Sequence, residues 1–283
     1  MKRTLFCITI ILLLGLGIPA RAAVTGQWEF NGDFSAATGA ALVPQGIAVG
    51  NSVFGTTTTL GVPDIGGQVA QVMQFPMMPT SADGYQMFPG AAANGSFSAG
   101  DVNRYSLVMD VLFPTASDNL YRGLFQTSAG NANDADFFIG DGTTTPQPNG
   151  IGTAGVYDGT ILPDTWYRIA LVVDLDTPAG TPTLYKYLNG SLLGSQELRD
   201  TRYAPWSLES GNPSWIFSDE SGETALGYVN SVQLSDSPMT AAEIAFLGGP
   251  SAAGIAVVPE PTSGLLLGAG LMLLAARTWR RCR

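Results

Sequence analysis

The chain has 283 residues, with 13 Lys and Arg against 23 Asp and Glu, so its formal net charge at pH 7 is −10. It contains no histidine, and its two cysteines are Cys7 and Cys282 near the two ends. This composition excludes Ser-His-Asp and Cys-His catalysis, histidine-ligated metals and a disulfide in the body of the chain, and the negative charge excludes nucleic acid as a partner.

The N-terminal segment is typical of a secretory signal peptide. A basic start and an apolar run from Leu5 to Ile18 are followed by the small residues of a cleavage site, Ala20, Ala22 and Ala23. We predict cleavage by signal peptidase after Ala22, so that residues 1–22 form a signal helix and the chain is exported. The alternative is a retained N-terminal anchor, although the apolar run is short for a membrane span.

Residues 23–249 have the alternating apolar and polar pattern of β-strands, with turn-forming residues between the strands. The stretch 104–113 predicts a half-buried strand, and 166–176 predicts a second strand with the same period. The stretch 183–198 predicts a hairpin around Asn189-Gly190, a dipeptide that suits a tight turn with positive φ at both positions. We predict a single domain.

An acidic and amide-rich stretch surrounds one short apolar strand at 130–142. Its candidate calcium ligands are Asn131, Asn133, Asp134, Asp136 and Asp141. Calcium prefers six to eight oxygen ligands from carboxylates, amides and carbonyls, so this stretch could supply several of them. The alternative is an Asx-rich turn that is solvated by water.

An aromatic stretch at 201–217 contains Tyr203, Trp206 and Trp215, with polar residues among them. Exposed aromatic rings with polar neighbours could bind a glycan, so these three residues are candidate sugar-stacking positions. The alternative is that both tryptophans fill the core, as tryptophan commonly does in β-sandwiches.

A short helix closes the body of the chain. Thr240 and Glu243 form a predicted capping box, and Gly248-Gly249 end the helix. Ten or more strands with one late helix predict an all-β fold, a two-sheet antiparallel β-sandwich.

The C-terminal segment begins with a predicted flexible linker, 250–258, and continues into an apolar helix of about 262–279 that is long enough for a thin membrane span. The motif before the helix is Pro259, Glu260 and Pro261, and the basic cluster after it is Arg277, Arg280, Arg281 and Arg283. The positive-inside tendency places this cluster in the cytoplasm.

These three parts in this order, over 259–283, resemble the PEP-CTERM sorting signal of Gram-negative bacteria. The resemblance implies a precursor held briefly in the inner membrane, processing by an exosortase, and delivery to the cell surface or the exopolysaccharide. The alternative is a plain C-terminal anchor whose prolines merely end the linker.

The body of the chain also resembles concanavalin A-like, laminin-G-like jelly-roll domains. The resemblance rests on the opening WEFNGD at 28–33, the Trp-initiated strand at 166–176, the Asn-Gly hairpin, and a last strand that runs into the helix with sequence AAEI. It spans most of 26–249 and implies a jelly roll, a fold shared by glucanases, lectins and adhesion modules.

The acidic residues do not follow the pattern of a jelly-roll glucanase. Such enzymes carry Glu-x-Asp-x-Glu on one strand, and the nearest matches here are Asp134-x-Asp136 and Asp174-x-Asp176. We therefore predict a non-enzymatic surface or exopolysaccharide-associated protein that binds glycan or calcium. A polysaccharide-active hydrolase or lyase and a purely structural coat component are the alternatives.

Overall fold

The computed structural model describes residues 22–128, 130, 135–143, 147–177, 180–198 and 206–258. In these residues the chain forms two sheets in which every strand pairing is antiparallel. The two sheets face each other across one large apolar core. The predicted all-β, two-sheet antiparallel sandwich is confirmed.

The larger sheet has nine strands. They are β1 (Val24–Trp28), β2 (Ala36–Thr38), β4 (Val53–Thr56), β5 (Gln71–Phe75), β7 (Arg104–Leu112), β12 (Tyr167–Asp174), β13 (Thr183–Leu188), β14 (Ser191–Glu197) and β16 (Gly227–Ser235). Their order is β14-β13-β12-β7-β16-β1-β2, and β5 pairs with both β16 and β4. The long strands β7, β12 and β16 form the centre of the sheet.

The smaller sheet has seven strands. They are β3 (Val43–Gln45), β6 (Gly84–Met87), β8 (Arg122–Gln126), β9 (Asp136–Ile139), β10 (Ile151–Thr153), β11 (Val156–Asp158) and β15 (Ser214–Ile216). Their order is β11-β10-β9-β8-β15-β6-β3. Neighbours such as β8 and β15 lie far apart in the sequence, so only the folded chain brings them together.

Helical structure is sparse in the described residues. It comprises two four-residue segments, α1 (Ala48–Asn51) and α2 (Thr57–Leu60), a 3₁₀ turn (Thr115–Ser117) and the helix α3 (Ala241–Leu247). The helix α3 begins with the predicted capping box, in which the Thr240 hydroxyl accepts from the Glu243 amide and the Glu243 carboxylate accepts from the Thr240 amide. None of the helices in the described residues is long and apolar enough to span a membrane.

The strands predicted from the alternating pattern are present, but one feature of that prediction is wrong. The strand β7 is not half-buried, because every residue after Arg104 is buried, and all of β12 is buried as well. The inner faces of these strands contact the core between the sheets. Their outer faces lie beneath α3 and residues 250–258, where Val108, Ala170, Ile244 and Ile255 share a second apolar cluster.

A buried ion pair lies in this second layer. The Arg168 guanidinium on β12 donates to both carboxylate oxygens of Asp110 on β7, at 2.7 and 2.6 Å. It also donates to the carbonyl oxygens of Leu247 and Gly254, the latter at 3.2 Å. Arg168 therefore connects the centre of the sheet with the end of α3 and with the segment that follows it.

The segment 250–258, predicted as a flexible linker, has specific contacts with the nine-stranded sheet. The Ile255 carbonyl accepts from Gln27 Nε2 at 3.1 Å, and the Ile255 amide donates to Ser231 Oγ at 3.3 Å. The side chains of Ile255 and Val258 are buried. A freely moving linker would not have these contacts, so the folded domain extends to Val258.

We expect Arg168→Ala to lower the free energy of unfolding by about 3–5 kcal/mol, because the substitution leaves the buried Asp110 carboxylate without its partner. The matched control is Arg104→Ala, since Arg104 pairs with Asp174 but has 42% of its side chain exposed. The control should cost less than about 1 kcal/mol. Urea unfolding of the two variants measures the difference, and equal losses would contradict the role given to the buried pair.

Candidate functional site

The outer face of the seven-stranded sheet carries a row of polar and aromatic side chains. Strand register places Asp136 opposite Gln126, Gln126 opposite Trp215, and Trp215 opposite Gln86. Directly opposed residues of neighbouring strands share a face, and the residues next to them in sequence, such as Phe125 and Phe137, point into the core. The row therefore lies on the side of the sheet away from the core.

A second row on the same face is aromatic. Tyr157 lies opposite Gly152, Gly152 opposite Phe138, and Phe138 opposite Gly123. Tyr121, which precedes β8, packs edge-on against Phe138 with ring centroids 6.0 Å apart. Tyr121 and Tyr157 are both partly exposed, whereas Phe138 is buried. Two partly exposed tyrosine rings and one buried phenylalanine therefore lie on the same face of the sheet.

The loop after β15 lies against this face because Gly123 has no side chain. A Cβ atom at this position would be 2.4 Å from Thr224 Oγ1 and 2.7 Å from the Ser218 carbonyl oxygen, so a larger residue would push the loop away. The close approach brings Asp219 and Glu220 to Asp136 on β9. One carboxylate oxygen from each of these three acids lies within 4.8 Å of the others.

The negative charges of this region affect neighbouring titratable groups. Burial raises the pKa of Glu223, and the carboxylates of Asp219 and Asp141 raise it further. Burial also raises the pKa of the Tyr157 hydroxyl, with smaller contributions from Tyr121 and from the acids Glu223, Asp136 and Asp141. Burial is the main cause of both raised pKa values, and the neighbouring acids add to it.

An open pocket adjoins the aromatic row. Its lining residues include Met77, Leu120, Tyr121 and Glu223. Met77 and Leu120 are 56% and 46% exposed. The pocket therefore combines apolar walls with one tyrosine ring and one carboxylate.

The structure assigns different positions to the predicted calcium ligands. Asp136 lies on β9 within the acidic cluster, and Asp141 is buried and accepts a hydrogen bond of 2.5 Å from the Thr143 hydroxyl. Asn131, Asn133 and Asp134 lie outside the described residues. The partners that the structure brings to Asp136, namely Asp219 and Glu220, come from a distant part of the sequence.

The predicted sugar-stacking residues do not form an exposed platform in the described part of the chain. Trp206 is 1% exposed and belongs to the core, and its carbonyl accepts from the Tyr105 hydroxyl at 2.9 Å. Its ring offers no surface to a sugar, so its assignment as a stacking residue is wrong. Trp215 lies on the outer face but is only 5% exposed. Tyr203 lies outside the described residues.

The structure describes little of the predicted targeting segments. Ala22 is buried, and the Ala23 amide donates to Asp236 Oδ1 at 2.8 Å. Cleavage after Ala22 stays a prediction. The remaining targeting residues lie outside the described residues, and they are Ala20, the motif Pro259, Glu260 and Pro261, the apolar helix of about 262–279, and the basic residues Arg277, Arg280, Arg281 and Arg283.

Most residues of this site are not evident from the sequence. Tyr121, Tyr157, Glu220 and Glu223 were not candidates, because each looks like an ordinary loop or edge residue in isolation. The signal that could have indicated them is the acidic run DESGE at 219–223, which directly follows a short aromatic strand. Sequence position alone does not show that this run contacts β9.

Two family models match the chain. One, described as the concanavalin A-like lectin/glucanases superfamily, matches residues 99–245. The other, described as the PEP-CTERM protein-sorting motif, matches residues 257–281. No curated protein matches the chain.

Several solved structures are similar to the chain at low identity. One is domain 4 of AbnA, a GH43 extracellular arabinanase from Geobacillus stearothermophilus, solved in complex with arabinotriose. It is 17% identical to this chain with a TM-score of 0.48, and the match covers 80% of this chain and 98% of that chain. The receptor-binding domain of botulinum neurotoxin type G is 11% identical with a TM-score of 0.46, over 80% and 50%. Trypanosoma rangeli sialidase is 15% identical with a TM-score of 0.42, over 62% and 27%. Likenesses of this size carry no argument about function.

We expect Glu223→Gln to stabilise the protein at pH 7 and to have little effect below about pH 4. The pKa of Glu223 is higher in the folded protein than in the unfolded chain, so the neutral carboxyl group favours the folded state. This contribution to the free energy of unfolding is fully present below the unfolded pKa and is lost as the pH rises through the folded pKa. Glutamine mimics the neutral form at every pH. Thermal unfolding at both pH values, with a chelator present, measures this difference, and a pH-independent change in midpoint would contradict it.

Proposed function

The chain belongs to the concanavalin A-like lectin/glucanases superfamily and carries a PEP-CTERM motif, which implies export, surface sorting and processing by an exosortase. From this premise we propose that it is a non-enzymatic surface or exopolysaccharide-associated protein that binds glycan. The binding surface is the aromatic row on the outer face of the seven-stranded sheet. Signal peptidase acts first on the exported chain, and a precursor held in the inner membrane precedes the surface form.

The observation that supports glycan binding is the position of two partly exposed tyrosine rings beside carboxylates. Tyr121 and Tyr157 lie on one sheet face with Phe138, and Glu223 lies in the adjoining pocket. The apolar face of a sugar ring packs well on an aromatic ring, and carboxylates accept strong hydrogen bonds from hydroxyl groups. This combination of groups suits a carbohydrate better than a wholly apolar or a wholly ionic ligand.

The charge of the domain narrows the class of glycan. Residues 23–258 contain six basic and 22 acidic residues, a net charge of −16. A surface with this potential repels polyanions such as uronate-rich or sulfated polysaccharides. The proposed ligand is therefore a neutral or amino-sugar-containing polysaccharide.

A second candidate function is glycoside hydrolysis, and the acidic cluster is the observation that favours it. One carboxylate oxygen from each of Asp136, Asp219 and Glu220 lies within 4.8 Å of the others. Retaining glycosidases hold their two carboxyl groups about 5–5.5 Å apart. However, Asp219 already accepts backbone amides from Ser221 and Glu223 through Oδ2 and the Gln126 amide through Oδ1. A carboxylate that is held in this way suits an organising role better than that of a nucleophile.

We expect the full chain to bind a neutral polysaccharide on a glycan array, and Tyr157→Ala to weaken the affinity about fivefold or more, since stacking on one ring is worth ~1 kcal/mol. Tyr121→Ala should have a similar effect. The matched control is Tyr185→Ala, because Tyr185 is a half-buried tyrosine beside the apolar cluster under α3. If all three substitutions weaken glycan affinity equally, the assigned surface is wrong. If the chain binds no glycan on the array, a structural coat role is favoured.

We also expect no release of reducing ends when the full chain is incubated with the polysaccharide it binds. A reducing-sugar assay over a range of pH measures this. If sugar is released, and Asp136→Asn or Glu220→Gln abolishes the release while binding persists, the hydrolase alternative replaces the proposed function. The binding assay and the hydrolysis assay therefore separate the two candidates.

A further inference from the structure

The sorting motif begins inside the folded domain rather than after it. The match to the motif starts at residue 257. The segment 250–258, which we call the C-terminal strap, lies against the outer face of the nine-stranded sheet. Val258 is 8% exposed and shares the apolar cluster under α3 with Ile255. The first residues of the sorting motif are therefore part of the packing of the domain.

The end of the strap is held by side chains that bind its backbone. Gln27 on β1 donates to the Ile255 carbonyl at 3.1 Å, and Gln233 on β16 donates to the Ala256 carbonyl at 3.5 Å. The Ile255 amide donates to Ser231 Oγ at 3.3 Å. These partners are side chains and not the backbone of a neighbouring strand. The strap can therefore leave the surface while the strands of the sheet stay paired.

The start of the strap depends on a close approach to the sheet. The Arg168 guanidinium donates to the Gly254 carbonyl at 3.2 Å, and the Ser251 amide donates to Asp110 Oδ2 at 3.4 Å. Gly254 has a φ of +80°, and a Cβ atom at this position would clash with Glu29 Oε2. A residue with a side chain at position 254 therefore disfavours the docked path of the strap.

We propose that the C-terminal strap controls processing at the sorting motif. A protease cuts an ordered segment through its locally opened state, so the rate of cutting follows the population of that state. While the strap is docked, it keeps the start of the motif out of reach of the membrane enzyme, and it is released before the chain is cut. The proposal rests on the exosortase processing that the motif implies, and it does not depend on the proposed glycan binding.

A flexible insertion tests this control. One full-length chain carries about eight Gly and Ser residues between Val258 and Pro259, which moves the rest of the motif away from the docked strap. The matched control carries the same insertion between Gly249 and Pro250, so that the strap stays next to the motif. Each chain is incubated with membranes of a host that contains an exosortase, and loss of the C-terminal segment is followed by mass. We expect the first insertion to speed cleavage about fivefold or more, and the control to keep the original rate.

A matched pair of substitutions tests the same control without a change in chain length. Gly254→Ala should speed cleavage, because it disfavours the docked path. Its control is Gly211→Ala, since Gly211 has a similar φ of +85° but lies in an exposed turn with open space around it. Urea unfolding checks that both variants are folded.

The outcomes separate this proposal from the proposed function. Equal cleavage rates for all the chains would overturn the control by the strap alone. No cleavage of any chain would contradict the implied processing together with the proposal. The cleavage assay contains no glycan, so a failure of the chain to bind glycan would contradict only the proposed function.

Discussion

The buried pair between Asp110 and Arg168 is the interaction on which the arrangement of this protein depends. It lies on the outer side of the nine-stranded sheet, and its side chains are almost completely inaccessible. Removing two charges from water is unfavourable unless each finds several partners, and here Arg168 also donates to Leu247 and Gly254 while Asp110 accepts from Ser251. The pair therefore requires α3 and the following segment to be in place.

Only the nine-stranded sheet holds α3 and the segment after it over its outer face, and this distinguishes the two sheets. The nine-stranded sheet has an apolar core on one side and a second apolar layer on the other, so its central strands contribute stability rather than a binding surface. The seven-stranded sheet carries polar and aromatic rows on its outer face, where Tyr121, Tyr157 and Glu220 remain accessible to different degrees. The proposed binding surface thus lies on the sheet whose outer face does not hold the C-terminal segment.

The same packing defines where the folded domain meets the sorting signal. The match to the sorting motif begins at residue 257, and Val258 is still buried in the layer under α3. The amide of Gln233 reaches the Ala256 carbonyl at 3.5 Å, so contacts with the sheet continue almost to the motif. The signal therefore follows the domain with almost no spacer, which places a folded body close to any enzyme that processes the motif.

Local patterns in the sequence determined the fold class, the strands β7 and β12, the Asn189-Gly190 hairpin turn and the capping box of α3. These features depend on backbone geometry and on neighbours a few residues away; Asn189 and Gly190, for example, both have the positive φ that the turn requires. The sorting signal was also evident, because it is a linear motif.

Only the tertiary structure decided that β7 is buried on both faces, that Trp206 lies in the core, and that Asp136 meets Asp219 and Glu220. Each of these depends on which distant segments pack together, and alternation along one strand does not specify what covers its outer face.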